Sequence, residues 1–97
     1  MYGTIARFRV KSGMEQQLMD LAREQTTEIP GWVANYVYRM DAAPNEYYLV
    51  VMFENKEAYV ANAGSPEQDA RYRKLREFME NDPEWHDGEV VAADTAR

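Results

Sequence analysis

The chain has 97 residues, enough for one small domain with one modest core, and its 45% hydrophobic and 29% charged residues exclude a disordered or membrane-embedded protein. With 11 basic against 17 acidic residues the net charge is −6, which sets general repulsion against any nucleic-acid partner. No cysteine is present, which removes disulfides, thiolate metal sites and cysteine nucleophiles, and the lone histidine, His86, excludes a histidine-rich metal site.

Tyr2 to Val10 alternates strictly, which predicts a first strand. Ser12-Gly13-Met14-Glu15 has the form of a capping box. It predicts a helix with Met14, Leu18, Leu21, Ala22, Gln25 and Ile29 on its buried side, stopped by Pro30-Gly31. Trp32 to Met40 reads as a second strand, Asp41 to Asn45 as a turn, and Glu46 to Phe53 as a third strand, together an antiparallel hairpin. Asn55 should cap a short helix over 56–63. Gly64 breaks it, and Ser65-Pro66 restarts a helix running to about Glu80. Trp85 to Ala92 is the expected fourth strand, and 94–97 a loose tail. The order β-α-β-β-α-β is that of an α+β, ferredoxin-like domain with an antiparallel sheet, spanning 1–97.

A sheet with helices on one side and water on the other should alternate apolar with polar residues. Here Tyr47, Leu49, Val51 and Phe53 oppose Tyr48, Val50 and Met52, and the second strand carries Trp32, Ala34, Tyr36, Tyr38 and Met40 on one face with Val33 and Val37 on the other. Two helical regions can cover only one face, so a second copy packed sheet to sheet is expected.

Nucleotide-loop, zincin and EF-hand signatures are absent, and no cofactor or metal is expected. The start MYGTIARFRV lacks the layout of a signal peptide and no run reaches transmembrane length, so a cytoplasmic protein is expected, without a membrane partner. His86 is the best general base on chemistry, although a lone histidine at a strand start is more often structural. Trp85 and His86 are strand neighbours, so only one of them can point toward the helices. The seven tyrosines mostly serve packing, with Tyr36 among the candidates to line an aromatic pocket.

Strand-ending Val10-Lys11-Ser12-Gly13, the corner Ile29-Pro30-Gly31-Trp32, and Phe53-Glu54-Asn55-Lys56-Glu57-Ala58-Tyr59 followed by Ser65-Pro66 occur in one order over nearly the whole chain. In these the chain resembles the antibiotic biosynthesis monooxygenase (ABM) type domain of the dimeric α/β-barrel superfamily. The resemblance implies a homodimer with a pocket between sheet and helices of each protomer, and in its cofactor-free oxygenases a polycyclic phenol as substrate. It also implies pocket roles for Tyr59, as donor to a substrate oxygen, and for an arginine placed at Arg73, as oxyanion partner. Tyr59 reads equally as a helix residue packing its ring, and Arg73 as one of the solvated run Arg71-Arg73-Lys74-Arg76. Asn62, one turn after Tyr59, is expected to face the same cavity or to serve the helix end. Where the family carries an asparagine and a tryptophan on the third strand, this chain has Leu49 and Phe53. The haem-degrading relatives' helix histidine has no counterpart.

The expectation is therefore a cofactor-independent monooxygenase acting on an electron-rich aromatic or polyketide-like molecule. The candidates are His86, Tyr59 and Arg73 for catalysis and Asn62, Tyr36, Phe53, Leu49 and Trp85 for binding. The alternatives are a non-catalytic ligand-binding or structural dimer, favoured by Leu49 and Phe53, and an isomerase or lyase using His86 alone.

Overall fold

A computed structural model describes residues 1–25 and 29–96, with the side chains of Glu24 and Gln25 left undescribed. Its elements are β1 (Tyr2–Arg9), α1 (Glu15–Gln25), β2 (Trp32–Arg39), β3 (Glu46–Phe53), α2 (Lys56–Ala63), α3 (Pro66–Arg76) and β4 (Glu84–Glu89). The sheet order is β2-β3-β1-β4 with every pair antiparallel, the ferredoxin-like arrangement expected from the sequence. Among the described residues no helix is long and apolar enough to cross a membrane.

The local signals mostly act where the chemistry places them, and three of the expectations shift among the described residues. Asn55 caps α2 by accepting from the Ala58 N–H at 2.8 Å, and Ser65 caps α3 through the Gln68 N–H at 3.1 Å, with Pro66 at the first helical position. Ser12, by contrast, lies in the turn before α1. Met14 N–H closes that turn on Lys11 O at 3.0 Å, and the helix begins at Glu15, too late for Ser12 to be its cap. The helix end expected at Ile29 falls across residues 26–28, which lie outside the described residues. The second helical region stops at Arg76, before Glu80, because the chain turns back to the sheet: Lys11 N–H donates to Phe78 O and Glu80 N–H to Arg9 O, each at 2.9 Å, and Met79 bridges Val10. The fourth strand ends at Glu89, opposite Tyr2, and not at Ala92, with one more backbone bond beyond it from Val90 N–H to Met1 O at 2.9 Å.

The core lies at one end of the sheet. Phe8, Val10, Leu18, Tyr47 and Met79 are buried together, with Met19, Leu49, Leu75 and Phe78 packed on them. Phe8 and Tyr47 stack with ring centres 5.8 Å apart. The other end of the helix-facing side is spanned by α2, which packs on β1 and β3, and by α3, which contacts α1 and α2. The corner before β2 brings α2 close: Gly31 has φ +77°, and a Cβ there would lie 2.5 Å from Ala58 Cβ.

Among the described residues no helix covers the opposite face. In register across β2, β3, β1 and β4 it presents Tyr36, Val50, Ile5 and His86, flanked by Tyr38, Tyr48, Arg7 and Glu84. Tyr36 is 65% exposed and Ile5 45%, and Arg7 pairs with Glu46 beside them.

Candidate functional site

Between the sheet and the helices lies a cleft of about 870 Å³, within the size range of small-molecule sites. Strand parity sets its floor. One cross-strand row is Asn35, Val51, Thr4 and Asp87, and the next is Val37, Leu49, Ala6 and Trp85. Phe53 and Trp32 extend the wall at one end, and Tyr59 and Asn62 of α2 with Gln68, Arg71, Tyr72 and Leu75 of α3 form the roof.

The polar groups fall into two clusters. At the sheet, the Tyr59 hydroxyl donates to Asp87 Oδ1 at 2.8 Å, and the Tyr59 ring leans on Tyr2 and Phe53 with centres 5.2 and 5.7 Å apart. Burial first, and then the bond to Asp87 and its charge, push the Tyr59 phenol up to about 12. Thr4 Oγ1 lies close enough to temper that rise, yet makes no hydrogen bond of normal geometry and is buried without a partner. Trp32 Nε1–H donates to Asn35 Oδ1 at 2.8 Å at the far end of the same row.

Under α3, Arg71 donates from Nη2 to Asn62 Oδ1 at 3.0 Å and from Nε to Gln68 Oε1 at 3.2 Å. Asn62 Nδ2 also donates to Gln68 at 3.4 Å. These amides orient the guanidinium without neutralising it, since Arg71 has no carboxylate partner among the described residues. Its remaining N–H groups are available to an anionic or carbonyl oxygen.

The cleft brings together Tyr59, Asn62, Phe53, Leu49 and Trp85 of the residues singled out from the sequence. Three others lie outside it. Arg73 is two positions past Arg71, hence on the far side of the helix; its side chain is 78% exposed and pairs with Asp69 at 3.0 Å. His86 has the parity opposite to Trp85, stands beside Ile5 on the open face, and meets Glu84 Oε1 at 2.9 Å. Tyr36 shares that open face, opposite Val50. Sequence reasoning missed Arg71, Asp87 and Thr4. Asp87 and Thr4 were available from parity, since Asp87 follows Trp85 by two and Thr4 precedes Ala6 by two. Arg71 was available from helix phase, one turn before the apolar Leu75.

The family model for antibiotic biosynthesis monooxygenases matches residues 1–74. No curated protein matches the chain significantly. Among solved structures, a protein of Chloroflexus aurantiacus J-10-fl named for the same family superposes with a TM-score of 0.79 at 19% identity, covering 97% of this chain and 96% of its own. A variant of SnoaB from Streptomyces nogalater, named as a cofactor-independent oxygenase, gives 0.80 at 15% identity, with 95% and 94% covered. A conserved protein from Methanosarcina mazei Go1 gives 0.77 at 17%, with 90% and 89% covered. At these identities the superpositions establish the shared fold and no more. With the family match over most of its length, the chain belongs to the antibiotic biosynthesis monooxygenase family.

Proposed function

We propose that the protein is a cofactor-independent monooxygenase acting on an electron-rich aromatic or polyketide-like phenol. The observation that carries this reading is Arg71, a cation without an ion pair among the described residues, held by Asn62 and Gln68 at an aromatic and apolar cleft. A phenol bound there loses its proton, and the guanidinium stabilises the phenolate oxygen. The electron-rich ring then reduces dioxygen itself. One oxygen atom enters the ring as a carbonyl at a C–H carbon, and the other leaves as water, whose two hydrogens are that carbon's hydrogen and the proton lost by the phenol. No further reductant is required. SnoaB, which shares the fold, is itself named as a cofactor-independent oxygenase.

A second reading, a non-catalytic binder of the same ligand class, is favoured by the apolar Leu49 and Phe53 in the cleft. The isomerase or lyase reading has no support from geometry, because its base, His86, is on the open face. In the favoured reading the protein is a cytoplasmic homodimer, paired through that open face.

Oxygen uptake with an anthrone in the presence of chelator decides between the two main readings. The oxygenase consumes one dioxygen per anthrone and yields the quinone, and Arg71→Ala slows it at least tenfold. Saturable binding of anthrone with uptake no faster than in buffer leaves the binder.

A further inference from the structure

Thr4 is only 3% exposed, and its Oγ1 is the one buried side-chain polar atom without a hydrogen-bond partner among the described residues. Such a group is costly to keep unless something satisfies it in the working state. It lies in the cleft floor, and its cross-strand neighbour is Asp87. Side chains directly opposite in an antiparallel pair stand about 5 Å apart at Cβ, close enough for one ligand atom to reach both. Asp87 uses Oδ1 to accept from Tyr59, and its Oδ2 has no hydrogen-bond partner among the described residues.

We infer that Thr4 and Asp87, braced by Tyr59, form a recognition site for a hydroxyl group of the cleft's ligand. The inference rests on the ligand class proposed above and assigns to the sheet side of the cleft a further hydroxyl of that ligand, one that keeps its proton, apart from the oxygen that meets Arg71. A carboxylate offers acceptors only, whereas the threonine hydroxyl can donate. A ligand hydroxyl satisfies both at once, donating to Asp87 Oδ2 and accepting from Thr4 Oγ1. A carbonyl or ether oxygen could take the Thr4 hydrogen but would face the carboxylate with no hydrogen to offer. A carboxylate ligand would be repelled outright. Tyr59 holds one oxygen of Asp87 and so fixes the direction of the other. The opposed charge on Arg71 is left for a second oxygen of the ligand, so the preferred molecule carries a phenolic hydroxyl and a separate carbonyl or oxyanion.

The test compares a monohydroxyanthraquinone with the parent anthraquinone, which lacks only the hydroxyl. Binding is followed by quenching of Trp32 and Trp85, both of which line the cleft. The unmutated protein should prefer the hydroxylated probe by about tenfold or more, a modest value for a site open to solvent at Asp87. Thr4→Val and Asp87→Asn should each reduce that preference to about threefold or less while leaving affinity for the parent compound unchanged. Thr4→Val should also melt no lower than the unmutated protein, because it replaces an unpartnered hydroxyl by a methyl of the same shape. Equal affinity for both probes, or a preference that survives both substitutions, overturns the hydroxyl site and leaves the cleft as an aromatic binder. Failure to bind either probe removes the proposed ligand class and the hydroxyl site together.

Discussion

Tyr59 on α2 and Asp87 on β4 join helix to sheet through a single bond of 2.8 Å, from the phenol to the carboxylate. The bond decides what Tyr59 can do. Its hydrogen is committed to Asp87, so in this arrangement the bond holds that carboxylate from the helix side. Burial and the neighbouring charge push its phenol up to about 12, so it stays protonated wherever the protein is folded under ordinary conditions.

The pH consequence has a definite sign. A tyrosine whose pKa is raised in the folded state contributes stability that is fully present below the unfolded value, about 10. That contribution is lost as pH rises from there through about 12. Because Tyr59 is half-exposed, solvent screening reduces its size. In an absorbance titration of the phenols, the step removed by Tyr59→Phe should be centred near 12. In Asp87→Asn the same step should move down toward 10. A Tyr59 step near 10 in the unmutated protein contradicts the pairing with Asp87.

Arg71 and Arg73 make a paired comparison on one helix. Removing a charge-assisted hydrogen bond costs about 1.5–3 kcal/mol, roughly ten- to a hundredfold in affinity. Arg71→Ala should therefore weaken binding of an anthraquinone carbonyl by that factor, whereas Arg73→Ala, which loses only an exposed pair with Asp69, should change it less than about twofold. Titrations of the two variants side by side check this, and equal losses would show that the guanidinium of Arg71 does not meet the ligand.

Gly31 is a backbone test of the corner that seats α2. Its φ of +77° is strained for any residue with a Cβ, and that atom would lie 2.5 Å from Ala58 Cβ. Gly31→Ala should destabilise the protein by about 1–3 kcal/mol, measured by urea unfolding. Ala58→Gly in the same background should recover part of the loss, by removing the clash but not the φ strain.

The strand and helix order was legible because each element carries a short-range signal: alternation in β1, the Asn55 and Ser65 caps, and the turn at Pro30-Gly31. The ends were less legible where tertiary bonds set them, as at Met79, whose backbone leaves the helix for Val10. The site was half legible. Tyr59 and Asn62 fall one helical turn apart and do share the cleft, and the opposed parity of Trp85 and His86 left only one of them for it. Chemistry alone favoured His86, but the register of β4 on β1 places it beside Ile5, and that pairing depends on where the strand begins, at Glu84. Placing the arginine at Arg73 by likeness passed over the helix phase that Leu75 already fixes.

The open sheet face carries the last prediction. Tyr36, Val50 and Ile5 form an apolar row on adjacent strands, and among the described residues nothing packs over it. Burying a few hundred Å² of such surface per protomer, at about 25 cal/mol per Å², supplies several kcal/mol before association entropy is subtracted. A two-fold axis uses the same patch twice and closes the assembly at two. Light scattering at micromolar concentration should therefore give a dimer. Val50→Lys places a charge at the centre of the row and should yield monomer or aggregate with the circular dichroism of the folded protein. Phe53→Lys is on the same strand but of opposite parity, at a side chain only 1% exposed, and should unfold the chain outright. The contrast separates an interface from a core, because both substitutions introduce the same charge three residues apart. A monomeric unmutated protein, or a Val50→Lys variant that remains dimeric, would show that this face is not where two copies meet.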